Sequence, residues 1–179
     1  AYARPDDPKA TPDRVVLPTA TGWQRVMPSA PPGAQFAGSK TISASTKNGL
    51  VSYLITLFDQ YDSRLAALID GNRITGLRTA GTAAAALTKL APARPLVVAV
   101  IGSGFEARAQ LRAASTVCTF TEVRVSSPTA ANRERFAAEL SAELGISITA
   151  MESAQEAVRG ADLIEHPLQI RLDEMPGAH

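Results

Sequence analysis

Cysteine and histidine are nearly absent from this sequence. Among 179 residues Cys118 is the only cysteine, and the two histidines, His166 and His179, both lie near the carboxyl end. A single cysteine excludes an internal disulfide and a metal cage built from thiolates. With both histidines confined to the end of the chain, no Ser-His-Asp or Cys-His catalytic set can be drawn. We therefore predict no metal site and no catalytic triad.

An excess of charge of either sign is missing as well. The formal net charge is +1, so the sequence has no electrostatic footprint for nucleic acid or an anionic membrane. No apolar run approaches the roughly 20 residues that span a bilayer. The first residues also lack the apolar segment of a signal peptide. These observations predict a cytoplasmic protein that binds neither nucleic acid nor membranes.

The first half of the chain contains little that favours helix. Prolines are frequent in residues 1–33, which predicts extended chain and turns. Runs rich in β-branched and aromatic residues follow, and the Asp-Gly pair at 70–71 has the chemistry of a tight turn. Together these patterns predict a meander of antiparallel strands, at 14–17, 23–27, 35–45, 49–59 and 64–69. Small apolar residues then predict the first helix, at 78–90, which Pro92 ends.

A glycine-rich turn joins a strand to a helix in the second half. The apolar run 96–101 predicts a buried strand, and 107–114 predicts a helix. Between them, Gly102 permits the turn, Gly104 lets the backbone approach a pyrophosphate, and Ala107 allows the helix to pack closely on the sheet. The N–H groups and the dipole at the helix start favour negative charge. This segment predicts a dinucleotide-binding site.

Strands and helices alternate after this turn. The pattern predicts strands at 122–126, 146–149 and 161–164, and helices at 129–144 and 153–158. Such alternation is typical of a parallel sheet with right-handed crossovers. Prolines and a glycine interrupt the pattern beyond residue 164. We therefore predict a first domain at 1–92, a partial nucleotide-binding domain at 93–164 and a divergent tail at 165–179.

The position that discriminates between NAD and NADP carries no carboxylate. An acidic residue at the end of the second strand of such a unit binds the ribose 2′-hydroxyl of NAD. This stretch instead contains Ser126, Ser127 and Thr129. Their hydroxyls tolerate a 2′-phosphate, which Arg124 or Arg133 could pair with, so the residues favour NADP. The alternative remains open that they only cap a helix.

Two motifs in this order resemble those of the ornithine cyclodeaminase/mu-crystallin family. An acid-Gly turn, Ile-Thr and Arg-Thr-Ala occupy residues 70–80, and Ile-Gly-x-Gly-x-x-Ala occupies residues 101–107. The resemblance extends over about residues 12–164. It implies an α/β fold, in which an antiparallel-strand substrate/dimerisation domain is followed by a partial Rossmann-type NAD(P)-binding domain.

The resemblance also implies an activity and roles for individual residues. Ornithine and lysine cyclodeaminases, ketimine reductases and alanine dehydrogenases share hydride transfer between a nicotinamide and the α-carbon of an amino acid or its imine. By resemblance, Arg78 holds the substrate carboxylate, Arg14 is a second contact to it, and Lys40 is a catalytic or substrate-contacting lysine. A positioned lysine suits the proton transfer that accompanies hydride transfer. The implied cofactor-binding residues are Thr79, Gly102, Ser103, Gly104, Glu106, Ala107, Ser126, Ser127 and Thr129.

The expected partners are NAD or NADP, a small amino or imino acid, and a second copy of the chain in a homodimer. Two features depart from the family pattern. Ornithine cyclodeaminases have a substrate-contacting glutamate two residues before a Met-Pro step, and Arg25 stands there in this chain, which argues against ornithine. Family members are also much longer, so the resemblance describes a truncated member. A protein that binds NAD(P)H or dimerises without catalysis, or an inactive fragment, is the alternative.

Overall fold

A computed structural model describes residues 9–166. The chain divides into two compact units, Ala1–Thr75 and Gly76–His179, and the boundary falls inside a helix. The predicted division at residue 92 falls just after the same helix and stays a prediction. The predicted tail at 165–179 lies outside the described residues from residue 167 onward.

The first unit is built on one five-stranded antiparallel sheet with its strands in sequence order. The strands are β1 (Val15–Thr19), β2 (Gly22–Ser29), β3 (Phe36–Ser45), β4 (Val51–Asp59) and β5 (Leu65–Asp70). Short turns join them, as expected for strands that pair with their sequence neighbours. In the turn after β4, the Asp59 carboxylate accepts a hydrogen bond from the Tyr61 N–H at 2.8 Å. This bond holds the pKa of the Asp59 carboxyl below its usual range. The predicted meander is confirmed.

The helix after β5 begins earlier than the sequence pattern predicted. Helix α1 spans Asn72–Leu90, so residue 78 lies in its second turn and not at its start. The Asp70 carboxylate accepts the Asn72 N–H at 2.8 Å, and both the N–H and the hydroxyl of Thr75 donate to the Gly71 carbonyl. The Asp-Gly pair that predicted a reverse turn therefore starts the helix, because its carboxylate satisfies an N–H that no helical carbonyl can reach.

The second unit contains a four-stranded parallel sheet in the order β8-β7-β6-β9. Its elements are β6 (Leu96–Ile101), α2 (Phe105–Ser115), β7 (Phe120–Ser126), α3 (Ala130–Leu144), β8 (Ile148–Ala150), α4 (Ala154–Val158) and β9 (Leu163–Glu165). The alternating pattern predicted this parallel sheet correctly. The order of the strands reverses between β6 and β9, and open sheets of this kind bind ligands where the order reverses.

The core of the second unit lies between this sheet and its helices. Val98, Val100, Val123 and Val125 from β6 and β7 are fully buried, and Phe136 of α3 is the largest fully buried side chain. A parallel strand covered on both faces requires a continuous apolar run, which is the pattern of β6. Each such side chain contributes about 1.5–3 kcal/mol on burial. This core holds the carboxyl ends of β6 and β7 in place.

Gly145 ends α3 as the sequence predicted, with a left-handed φ of 67° and its N–H donating to the Ser141 carbonyl. Ser153 likewise caps α4, and a capping box with Glu156 is formed. Within residues 9–166, every helix is too short or too polar to cross a membrane.

Candidate functional site

The glycine turn lies at the carboxyl end of β6, where the strand order reverses. Gly102 has φ 111°, a conformation that L side chains rarely adopt, and its N–H donates to the Ser126 carbonyl at 2.7 Å. This bond joins the turn to the end of β7. A methyl group built on Gly104 would meet no atom within 4 Å, so the space above the turn is open. The turn therefore has room for a ligand that approaches its backbone.

The start of α2 offers unpaired donors to this space. Gly104 is the N-cap and supplies no side-chain cap, and the first helical bond runs from the Arg108 N–H to the Gly104 carbonyl. The three N–H groups before Arg108 thus have no carbonyl within the helix, which makes the helix start suited to an anion. Ala107 is fully buried, as close packing of α2 on the sheet requires. Glu106 lies in the first turn of the helix and is half-buried.

The serines after β7 lie beside the glycine turn. The Ser103 hydroxyl donates to the Ser127 hydroxyl at 3.0 Å, and both Ser126 and Ser127 are buried. Thr129 is the N-cap of α3, but its side chain makes no capping bond. A second uncapped helix start therefore stands next to that of α2. Thr129 therefore does not cap α3 with its side chain, although its carbonyl accepts the Asn132 N–H at 3.1 Å.

Of the two arginines that could pair with a 2′-phosphate, one is already engaged. Arg124 forms a two-pronged ion pair with Glu122, at 2.8 and 2.7 Å, and it also donates to the Arg159 carbonyl. The Arg124 guanidinium holds the pKa of the Glu122 carboxyl below its usual range. Arg133 instead donates to the Ser127 carbonyl at 3.2 Å, which places it at the serine turn. The spacing of Glu122 and Arg124 on one strand face is a signal that sequence reasoning missed.

Helix α1 packs against the first residue of α2. A methyl group built on Gly76 would lie 2.5 Å from the Phe105 ring, so a larger residue here would require this exposed ring to move. Thr79 lies one turn after Gly76 on the same helix face. It is half-buried, and its predicted cofactor-binding role stays a prediction. Arg78, the next residue back, is exposed.

A buried carboxyl group occupies the end of β9. Glu165 pairs with Val100 across the point where the strand order reverses, and it is only 7% exposed. Burial raises the pKa of the Glu165 carboxyl. Sequence reasoning did not single out this residue, because it assigned Glu165 to the divergent tail.

The remaining predicted site residues belong to the first unit. Lys40 on β3 pairs with Met27 of β2 and with Ile55 of β4. Its ammonium lies 5.0 Å from the centre of the Tyr53 ring. Arg14 is exposed and lies one residue before β1.

Comparison with known proteins identifies the family of this chain. The sequence model of the ornithine cyclodeaminase/mu-crystallin family matches residues 7–166. The ketimine reductase mu-crystallin of Rattus norvegicus is 31% identical over 188 aligned residues, which cover 98% of this chain and 59% of the relative. The iminosuccinate reductase of Paracoccus denitrificans is 36% identical over 108 residues, covering 59% of this chain and 33% of the relative.

Solved structures show the same fold. The Δ1-pyrroline-2-carboxylate reductase of Thermococcus litoralis, in complex with NADH and L-proline, superposes with a TM-score of 0.80 at 31% identity. The match covers 87% of this chain and 50% of that protein, so the chain spans about half the length of the structures it matches. The order of the motifs, the fold and the sequence matches agree, and the chain belongs to the ornithine cyclodeaminase/mu-crystallin family.

Proposed function

We propose that this chain contributes the nucleotide turn and substrate-binding strands of an NAD(P)-dependent enzyme that acts at the α-carbon of an amino acid or its imine. The observation that carries the proposal is the pair of uncapped helix starts, of α2 and α3, at the carboxyl ends of neighbouring strands. By contrast, α4 satisfies its own N–H groups with a capping box. Open N–H groups at this edge of a parallel sheet are typical of phosphate binding.

The residues present fit a dinucleotide. In the proposed complex the N–H groups at the start of α2 bind the pyrophosphate, and Gly104 leaves the space that its oxygens need. Ser103 lies in the same turn, Glu106 and Ala107 belong to the first turn of α2, and the family relationship supports Thr79 as a further cofactor contact. When bound, the nicotinamide supplies or accepts the hydride.

The proposed substrate-binding residues are cationic. Arg78 and Arg14 bind the substrate carboxylate, for which a guanidinium offers paired donors. The ammonium of Lys40, which lies 5.0 Å from the centre of the Tyr53 ring, holds the proton that the substrate nitrogen gains or loses. The family relationship supports these roles.

We further propose NADP as the cofactor. Ser126, Ser127 and Thr129 present no carboxylate that would repel a 2′-phosphate, and Thr129 leaves a helix start open for it. Arg133 stands at the same turn and supplies the positive charge. Engagement of Arg124 with Glu122 leaves Arg133 as the proposed phosphate contact.

We also propose that the chain forms a homodimer through the sheet of the first unit. On the sheet face opposite Lys40, large apolar side chains are 44–61% exposed. They are Val15, Leu17, Leu54, Phe58 and Leu68. Exposed apolar side chains of this kind, at the two edges of the sheet, are typical of an interface, and a second copy would bury them.

The test is a titration of the purified protein with NADPH and with NADH, followed by nicotinamide fluorescence and by thermal melting. We expect saturable binding of both, tighter for NADPH, and a melting temperature that rises with ligand concentration. Absence of binding by either nucleotide from a protein that melts cooperatively would refute the proposal.

A further inference from the structure

Two cationic side chains of the first unit share one face of the sheet. Lys40 lies directly opposite Met27, and Arg25 lies two residues before Met27 on the same strand. Side chains alternate along a strand, so Arg25 and Lys40 point to the same face as diagonal neighbours. Diagonal neighbours in an antiparallel pair are about 7–8 Å apart. Both side chains can therefore reach one small ligand.

Each cation lies over an aromatic ring. The Arg25 guanidinium carbon is 4.8 Å from the centre of the Trp23 ring. The Lys40 ammonium is 5.0 Å from the centre of the Tyr53 ring. A guanidinium at this distance is attracted to the Trp23 ring, which offers its N–H groups no acceptor atom. The two groups are thus positioned before any ligand binds.

Arg25 carries an unsatisfied donor. Its Nε is buried and has no hydrogen-bond partner within the part of the chain that the structure describes. A buried donor without an acceptor is costly, and such groups mark a place that a ligand or water completes. A carboxylate, which accepts two parallel hydrogen bonds from a guanidinium, is the matching acceptor.

Acidic side chains are sparse on this sheet face within the described strands. Among the described strand residues, the register places only Asp59 on this face, four residues beyond Ile55 on β4 and about 13 Å along the strand. Asp59 is also engaged, by the Gln35 side chain and the Tyr61 N–H. Arg14 lies one residue before β1 and two residues before Val16, which pairs with Arg25. The alternation of side chains therefore places Arg14 on the same face, as a third cation.

We propose that the substrate carries a second carboxylate, on its side chain, and that Arg25 binds it. The proposed function assigns the α-carboxylate to Arg14 and Arg78, so the unsatisfied donor of Arg25 is left for a second acceptor, which an amino- or iminodicarboxylic acid supplies. A cationic side chain such as that of ornithine would be repelled. This inference rests on the proposed function, since it specifies the substrate of the same site.

The test compares L-aspartate with L-asparagine, which has the same shape without the side-chain charge. Isothermal titration calorimetry is run on the protein saturated with NADPH. We expect aspartate to bind about tenfold or more tightly than asparagine, because a hydrogen bond to a charged group contributes that much. Arg25→Gln is expected to abolish this preference by weakening aspartate alone, and Arg25→Lys to restore part of it.

A matched control is Arg64→Gln. Arg64 lies in the turn between β4 and β5, its side chain is 86% exposed, and its removal changes the net charge by the same amount. We expect the aspartate preference to be unchanged in this variant. A loss of preference in Arg64→Gln equal to that in Arg25→Gln would overturn the proposal, since it would trace the effect to net charge.

L-Alanine separates the failure of this inference from that of the proposed function. If alanine binds and native protein does not distinguish aspartate from asparagine, the inference is overturned and the proposed function stands. If none of the three amino acids binds, both are overturned. The ligand comparison on the native protein decides the matter even if a variant at position 25 does not fold.

Discussion

Replacing Gly104 with alanine is expected to weaken NADPH binding without destabilising the protein. Gly104 has φ −80° and ψ −171°, which any L residue adopts, and a methyl group there meets no atom within 4 Å. Alanine at such a position stabilises a protein by about 0.4–1 kcal/mol, because it restricts the unfolded chain. The same methyl group would project into the space proposed for the pyrophosphate.

The expected loss of affinity follows from the donors at the start of α2. If the methyl group displaces the pyrophosphate by enough to break one charge-assisted hydrogen bond, binding weakens by about 1.5–3 kcal/mol. That range corresponds to about a ten- to hundredfold rise in Kd. Fluorescence titration with NADPH measures the change, and thermal melting without nucleotide measures stability.

Gly102→Ala is the contrasting variant. Its φ of 111° imposes strain on any side chain, at about 1–3 kcal/mol, which lowers the melting temperature by about 2–12 °C. The pair of variants therefore separates binding from folding within one turn. If Gly104→Ala binds NADPH as tightly as the native protein, the pyrophosphate does not lie against this turn, and the reasoning is refuted.

Three further predictions concern stability and assembly. Burial raises the pKa of the Glu165 carboxyl, so the native protein loses stability as pH rises and this buried group ionises. Glu165→Gln is therefore expected to raise the melting temperature at neutral pH but not at pH 4, and a gain that persists at pH 4 would contradict this. The Arg94 guanidinium holds the pKa of the Asp162 carboxyl at about 2 against an ordinary 3.8, so stability should fall as pH drops from 3.8 towards 2, and Asp162→Asn should flatten that part of the melting profile. Leu54→Lys is expected to shift the protein from dimer to monomer in analytical ultracentrifugation without changing its circular dichroism, and an unchanged sedimentation coefficient would place the interface elsewhere.

The elements whose signal is local could be predicted from the sequence. The glycine turn was recognised because Gly102 and Gly104 follow a continuous apolar run and precede a helix, and each of these features is a property of neighbouring residues. The parallel sheet followed from the same kind of pattern. Gly145 as the end of α3 also needed only the chain nearby, since glycine alone adopts its left-handed φ without strain.

The errors arose where hydrogen bonds of the folded chain decided the outcome. The sequence predicted that helix α1 begins at residue 78, but it begins at Asn72, whose N–H is bound by the Asp70 carboxylate. Arg124 was considered free to bind a phosphate, whereas Glu122 and the Arg159 carbonyl bind it. The Glu122 contact has a signal in the two-residue spacing on β7, whereas the bond to the Arg159 carbonyl has none near Arg124.

The amino-acid sequence by itself determined the family of this protein, the alternation of its strands and helices and the place of its nucleotide turn, because these depend on residue type and short-range spacing. Only the tertiary structure decided which donors and charges are left for a ligand. It showed that α2 and α3 start without caps, that Arg124 is engaged, and that the Nε of Arg25 is buried without a partner. Hydrogen bonds and burial depend on which strands become neighbours, and the register of the strands is a property of the folded chain.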